Sequence, residues 1–186
     1  MTGLPLLPDR TCGGCVECCR YIPLDLPELA KPTGELCAYC IDGAGCGVHE
    51  IRPRTCRTWF CVWRVVELSD DWRPDRSGVI VRPDGLSDGE ITLYVVDRSD
   101  FLLSDDFFDT VVHWIDNGIR IALSIPGPVG TYPVRAVVTD YLKQAITAGD
   151  RGLFDRLVDR SLNSLAEHDW QPDGVVARYA VGETPS

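Results

Sequence analysis

The sequence predicts an α+β fold in which a cysteine-rich head precedes a small sheet packed with three helices. Three observations carry the prediction. All nine cysteines fall between Cys12 and Cys61, and none follows. Two β-branched runs flank a Pro-Asp-Gly turn signal further along. Three later stretches read as helices from their apolar spacing and their caps.

Residues 1–11 read as a loose lead and 12–61 as the cysteine region. The chain divides near residue 66, into a head of 1–66 and a body of 67–186 packed with it as one unit. Pro23 and Pro27 limit any helix between the first two cysteine groups. Val65–Leu68 reads as a strand end and Asp70–Asp75 as a turn. Gly78–Arg82 and Glu90–Val96 form a hairpin around Pro83-Asp84-Gly85. Asp105–Asn117 carries Phe107, Phe108, Val111, Val112 and Ile115 at helical spacing, and Gly118 closes it. Ser104-Asp105-Asp106 caps its start. Ile119–Ile125 is a third strand, followed by a rigid loop at 126–133. Val134–Ala148 and Gly152–Glu167 are the remaining helices, and the tail after Trp170 is expected to fray.

The first ten residues lack a basic start, and Pro5 and Pro8 break their short apolar run, so no secretory leader is expected. No apolar stretch reaches the roughly 18 residues that span a bilayer. A cytoplasmic location follows, where thiols stay reduced and a cysteine cluster reads as metal-binding or catalytic. A disulfide framework would need export, and nine thiols cannot all pair. The net charge of −10 argues against general nucleic-acid binding, which needs a basic face. The expected partner is a metal ion, with a protein partner left open and neither nucleic acid nor membrane expected.

The spacing of the thiols carries the chemistry. Cys12-Gly-Gly-Cys15 is a tight turn aiming two sulfurs at one point, and its glycines tolerate positive φ. A helix starting near Cys15 would place Cys15, Cys18 and Cys19 on one face; the adjacent Cys18 and Cys19 could also serve different metals. Cys37-x2-Cys40-x5-Cys46-x2-His49 has the spacing of a local three-cysteine, one-histidine zinc site. Arg52, Arg54 and Arg57 surround Cys56 and would offset thiolate charge. Cys61 completes the set.

These residues resemble the YkgJ-type cysteine-cluster family. The likeness lies in Cys12-x2-Cys15-x2-Cys18-Cys19, then Cys37, then Cys46-Gly-Val-His-Glu-Ile-Arg-Pro-Arg-Thr-Cys56-Arg57. It covers about residues 12–61. Such proteins are described as zinc- or iron-chelating. The resemblance implies ligands at Cys12, Cys15, Cys18, Cys19, Cys37, Cys46, Cys56 and Cys61. Cys40 stands where the family pattern has an aliphatic residue and His49 where it has tyrosine, so both are candidate additions to the ligand set.

Zinc is the first choice of metal, because it favours closed sites of sulfur with some histidine. Iron or an iron–sulfur cluster is the close second. Cys12-x2-Cys15-x2-Cys18 matches the first three ligands of a ferredoxin-type cluster, whose fourth would come from a distant cysteine such as Cys56. Relatives with flagellin-lysine methylase activity carry a similar cluster, which keeps a redox or protein-modifying enzyme as the alternative to a non-catalytic module. His113 and His168 read as packed or surface residues, and the 126–133 loop as a rigid turn or a pocket wall. No catalytic triad, Walker loop or dinucleotide loop is present.

Overall fold

The computed structural model describes residues 5–26, 29–41, 43–83 and 88–174. Its body is a four-stranded sheet flanked by helices, of the mixed α and β kind that the sequence predicts. The strands are β5 (Val79–Arg82), β6 (Glu90–Val95), β7 (Arg120–Ile125) and β8 (Val134–Val137), in that spatial order. The hairpin of β5 and β6 is antiparallel, with Val81 opposite Leu93. Asp84 and Gly85, the expected turn, lie outside the described residues. β6 and β7 are parallel, so α4 (Asp105–Asp116) crosses between them. β8 closes the order antiparallel to β7.

Local chemistry explains the helices. The Ser104 hydroxyl accepts the backbone N–H of Phe107 and caps α4, as its sequence predicts. Asp150 caps α6 (Arg151–Ala166) in the same way through Leu153. Gly149, at φ +63, ends α5 (Thr139–Ala148). The expected helix over 134–148 is therefore a correction: its first four residues are β8. Val134, Val137 and Val138 are β-branched and suit the sheet edge. The Thr139 hydroxyl accepts the Ile121 N–H, so the sheet ends there and the helix begins.

Four smaller expectations also change. Val65–Leu68 is not a strand; a 3-10 turn at Val62–Arg64 precedes it. Asp70–Asp75 is a 3-10 turn running into α3 (Pro74–Ser77). The lead is pinned over its described part, because Leu7 N–H donates to Arg64 C=O and Arg10 donates to the carbonyls of Trp63, Val66 and Leu68. The tail is docked as far as Gly174: Asp173 is fully buried and accepts the Thr33 N–H. Residues 175–186 lie outside the described residues.

The core centres on Trp72, which is fully buried among Phe101, Phe107 and Trp114 at ring separations of 5.0, 5.6 and 5.4 Å. It continues across residue 66 into Cys61, Val62 and Trp63, with Cys18, Tyr21 and Trp59 packed against it. Tyr21 meets Tyr94 of β6 edge-on. The sheet is thus the platform on which the cysteine region sits.

Candidate metal centre

The head is built from short pieces. They are α1 (Glu17–Tyr21), two hairpins, β1 (Leu24–Leu26) with β2 (Leu29–Lys31) and β3 (Cys40–Ile41) with β4 (Gly45–Cys46), and α2 (Arg54–Thr58). Neither α1 nor α2 buries a residue fully; α1 rests on the body core only through the partly buried Cys18 and Tyr21. Hydrogen bonds and close backbone contacts supply the rest of their positioning. Cys15 N–H donates to Cys12 C=O at 2.9 Å and closes the first turn. Cys37 N–H donates to Cys19 C=O at 3.1 Å, tying the second group to α1. Cys40 and Cys46 are directly opposed across β3 and β4.

Glycine joins the two turns. Gly45 lies at φ +90, a left-handed conformation that disfavours a side chain, and a Cβ there would overlap the Gly13 carbonyl oxygen. Gly14 faces the Gly43 carbonyl in the same contact. The first cysteine turn and the second knot therefore stack backbone on backbone.

The result is one cavity of about 180 Å³, lined by every cysteine except Cys40. Its volume is more than ten times the roughly 10–15 Å³ that admits one water. All nine cysteines are free thiols. Among the described residues, no three or more His, Cys, Asp or Glu side chains close into a group that could hold a metal ion as they stand. The thiols are neighbours that bond to one another. Cys18 donates to the Cys61 sulfur, which holds the Cys18 thiol above its ordinary pKa and draws Cys61 below it. Burial pushes the Cys15 thiol up to about 12. Burial also raises Cys19, Cys40 and Cys56, helped at Cys19 by the adjacent Cys40.

Cations stand beside these sulfurs. Arg64 is 8% exposed, and its Nη1 donates to Cys12 Sγ at 3.3 Å. The buried Nε atoms of Arg64 and Arg52 have no acceptor. Two unpaired N–H donors lining a thiol cavity suit an anionic centre, since each otherwise bears its desolvation cost. Lys31, at the end of β2, is 2% exposed and donates to the carbonyls of Arg20, Pro32 and Glu35. Burial lowers its pKa, and Cys37 and Cys19, once ionised, are the groups that most oppose the fall. Nothing in the cysteine spacing pointed to Lys31 or Arg64. Their one available signal was that Lys31 is one of only two lysines in the chain.

Several candidates land differently from their expected roles. Cys15 precedes α1 rather than joining its face, so Cys15, Cys18 and Cys19 do not form one helical stripe. His49 lines the cavity, but its ring lies 3.6 Å from the Glu50 carboxylate. Cys40 meets Cys37 of the local spacing motif and also Cys19 from outside it. The 126–133 loop is a joint. Gly130 N–H donates to Thr33 C=O, Asp173 N–H to Gly130 C=O, and Tyr132 N–H to Gln171 C=O. His113 is exposed on α4, and His168 Nδ1 lies 3.1 Å from the Ser164 carbonyl.

No family model, no curated protein and no solved structure matches the chain. Among the described residues, no helix is long and apolar enough to cross a membrane.

Proposed function

We propose that this is a metal-binding protein whose cysteine head holds zinc, or iron in close competition, and whose sheet and helices form the platform for it. One observation carries the reading: thiols from three separate stretches of chain line a single cavity beside buried arginine donors that lack acceptors. Cys12, Cys15, Cys18, Cys19, Cys37, Cys40, Cys46, Cys56 and Cys61 are the donors on hand, with His49 at the rim. Such a metal supplies cross-links between segments that bury little apolar surface. The motif's resemblance to the YkgJ-type proteins supports the reading, and free thiols are what a reducing compartment would keep.

The iron–sulfur reading has one observation of its own. Cys61, rather than Cys56, is the distant cysteine beside the Cys12-x2-Cys15-x2-Cys18 run. A redox or protein-modifying role would follow from a cluster there, and a non-catalytic module from zinc.

Metal and acid-labile sulfide content, with an absorption spectrum, on protein purified without oxygen decides between them. Zinc without sulfide supports the first reading. Iron with matching sulfide and absorption near ~400 nm supports the second. Protein that takes up neither metal refutes both. The thiols pushed up by burial are protonated at neutral pH, so metal entry displaces protons. Affinity should therefore rise with pH and fall on acidification.

A further inference from the structure

We propose that the head holds two separate thiolate centres divided between the adjacent Cys18 and Cys19. Cys12, Cys15, Cys18 and Cys61 form the first, and Cys19, Cys37, Cys40 and Cys46 form the second. The inference rests on the metal-binding reading and adds which sulfurs share a metal.

Helix geometry makes the division. Cys18 and Cys19 are consecutive in α1, where successive side chains diverge by about 100°. Cys18 turns onto the body core, against which it packs, and meets Cys61 there. The thiols acting most strongly on Cys18 are Cys61, Cys15 and Cys12. Those acting most strongly on Cys19 are Cys40, Cys37 and Cys46.

Backbone contacts draw the same line. The Cys12–Cys15 turn is closed by its own hydrogen bond, and Arg64, three residues beyond Cys61, donates to Cys12 Sγ. On the other side, Cys37 N–H bonds to Cys19 C=O and Cys40 N–H to Cys37 C=O. The direct opposition of Cys40 and Cys46 puts their side chains on the same face of the ladder.

Each quartet also has its own buried cation. A divalent ion held by four thiolates carries a net charge of −2. Arg64 stands at the first quartet, with its buried Nε lacking an acceptor. Lys31 stands at the second, near Cys37 and Cys19, and also feels Glu35 and Asp173. Metal entry displaces the thiol protons of a quartet, and rotation of the side chains closes the sulfurs around the ion.

Cys56 is the ninth thiol and stands outside both quartets. Cys56 lines the cavity, as Cys40 does not, and the thiols acting most strongly on it are Cys37 and Cys46, with Arg52 beside it; Cys40 is assigned to the quartet because it bonds to both Cys19 and Cys37. Cys40, in mutual reach of Cys19, Cys37 and Cys46, takes the place that the motif resemblance gives to Cys56.

Cadmium(II) tests this on the full-length reduced protein, because it accepts the same four-thiolate geometry and its nucleus is visible by NMR. The expected result is two cadmium ions per chain with two resonances. One should couple to the β-protons of Cys12, Cys15, Cys18 and Cys61, the other to those of Cys19, Cys37, Cys40 and Cys46. Cys61→Ser should abolish the first resonance alone and Cys40→Ser the second alone, while Cys56→Ala keeps both. One ion drawing on both quartets, or coupling to Cys56 in place of Cys40, overturns the division but leaves metal binding intact. Complete failure to bind cadmium overturns the metal-binding reading as well. The couplings are read on unsubstituted protein, so a variant that fails to fold does not decide the outcome.

Discussion

The head and the body are held together by different physics. The body buries a continuous apolar cluster, with Trp72, Phe107, Leu93 and Phe154 at 0–1% exposure. The head has two five-residue helices with no fully buried residue and two hairpins of two or three residue pairs. Its most deeply buried long side chain is a lysine. An apolar core specifies the body by exclusion of water. The head depends on hydrogen bonds, glycine-mediated backbone contacts and whatever joins its thiols. A region that small needs a staple to be stable by itself.

Metal removal should give the largest effect. Structural zinc supplies on the order of 10 kcal/mol to small metal-folded domains. Chelation should therefore strip hydrogen-exchange protection from residues 12–61 while 79–166 stays protected. Equal protection of the head without metal would mean that its hydrogen bonds suffice. The body should respond most to Trp72→Ala, which empties the centre of the aromatic cluster and should cost about 3–5 kcal/mol by denaturant unfolding. Because Cys61 and Trp63 share that core, the substitution should also loosen the head.

Gly45→Ala sharpens the comparison within the head. Its left-handed backbone and the overlap with Gly13 should cost about 2 kcal/mol or more and lower metal content, with little change in body hydrogen exchange. Unchanged metal content would show that the stacked turns are dispensable. Ser104→Ala is the mildest test. Loss of the α4 cap should cost about 1 kcal/mol of body stability and leave metal stoichiometry as it was.

Some of this was legible in the chain. β-branched runs announced the β5–β6 hairpin, because strands buried on both faces read as near-continuous apolar runs. The Ser104 cap and the apolar spacing after it announced α4 for equally local reasons. β8 was read as the start of α5, since Val134–Val137 is four residues long and its strand character comes from pairing with β7. Parallel pairing of β6 with β7 had no local signal either.

The cysteine head divides the same way. The sequence by itself determined that thiols would gather, because all nine cysteines fall between Cys12 and Cys61 in closely spaced groups. It also determined that Gly13 and Gly45 would sit at turns, since positive φ is cheap only there. Only the tertiary structure decided which thiols meet. Cys18 finds Cys61 across 43 positions of chain because α1 and the segment before Val62 both lie on the sheet. Cys19, one residue on, faces away and finds Cys40. Arg64 and Lys31 acquire their places beside the sulfurs through the same folding. Spacing sets which thiols share a turn, whereas the shared core sets which turns meet.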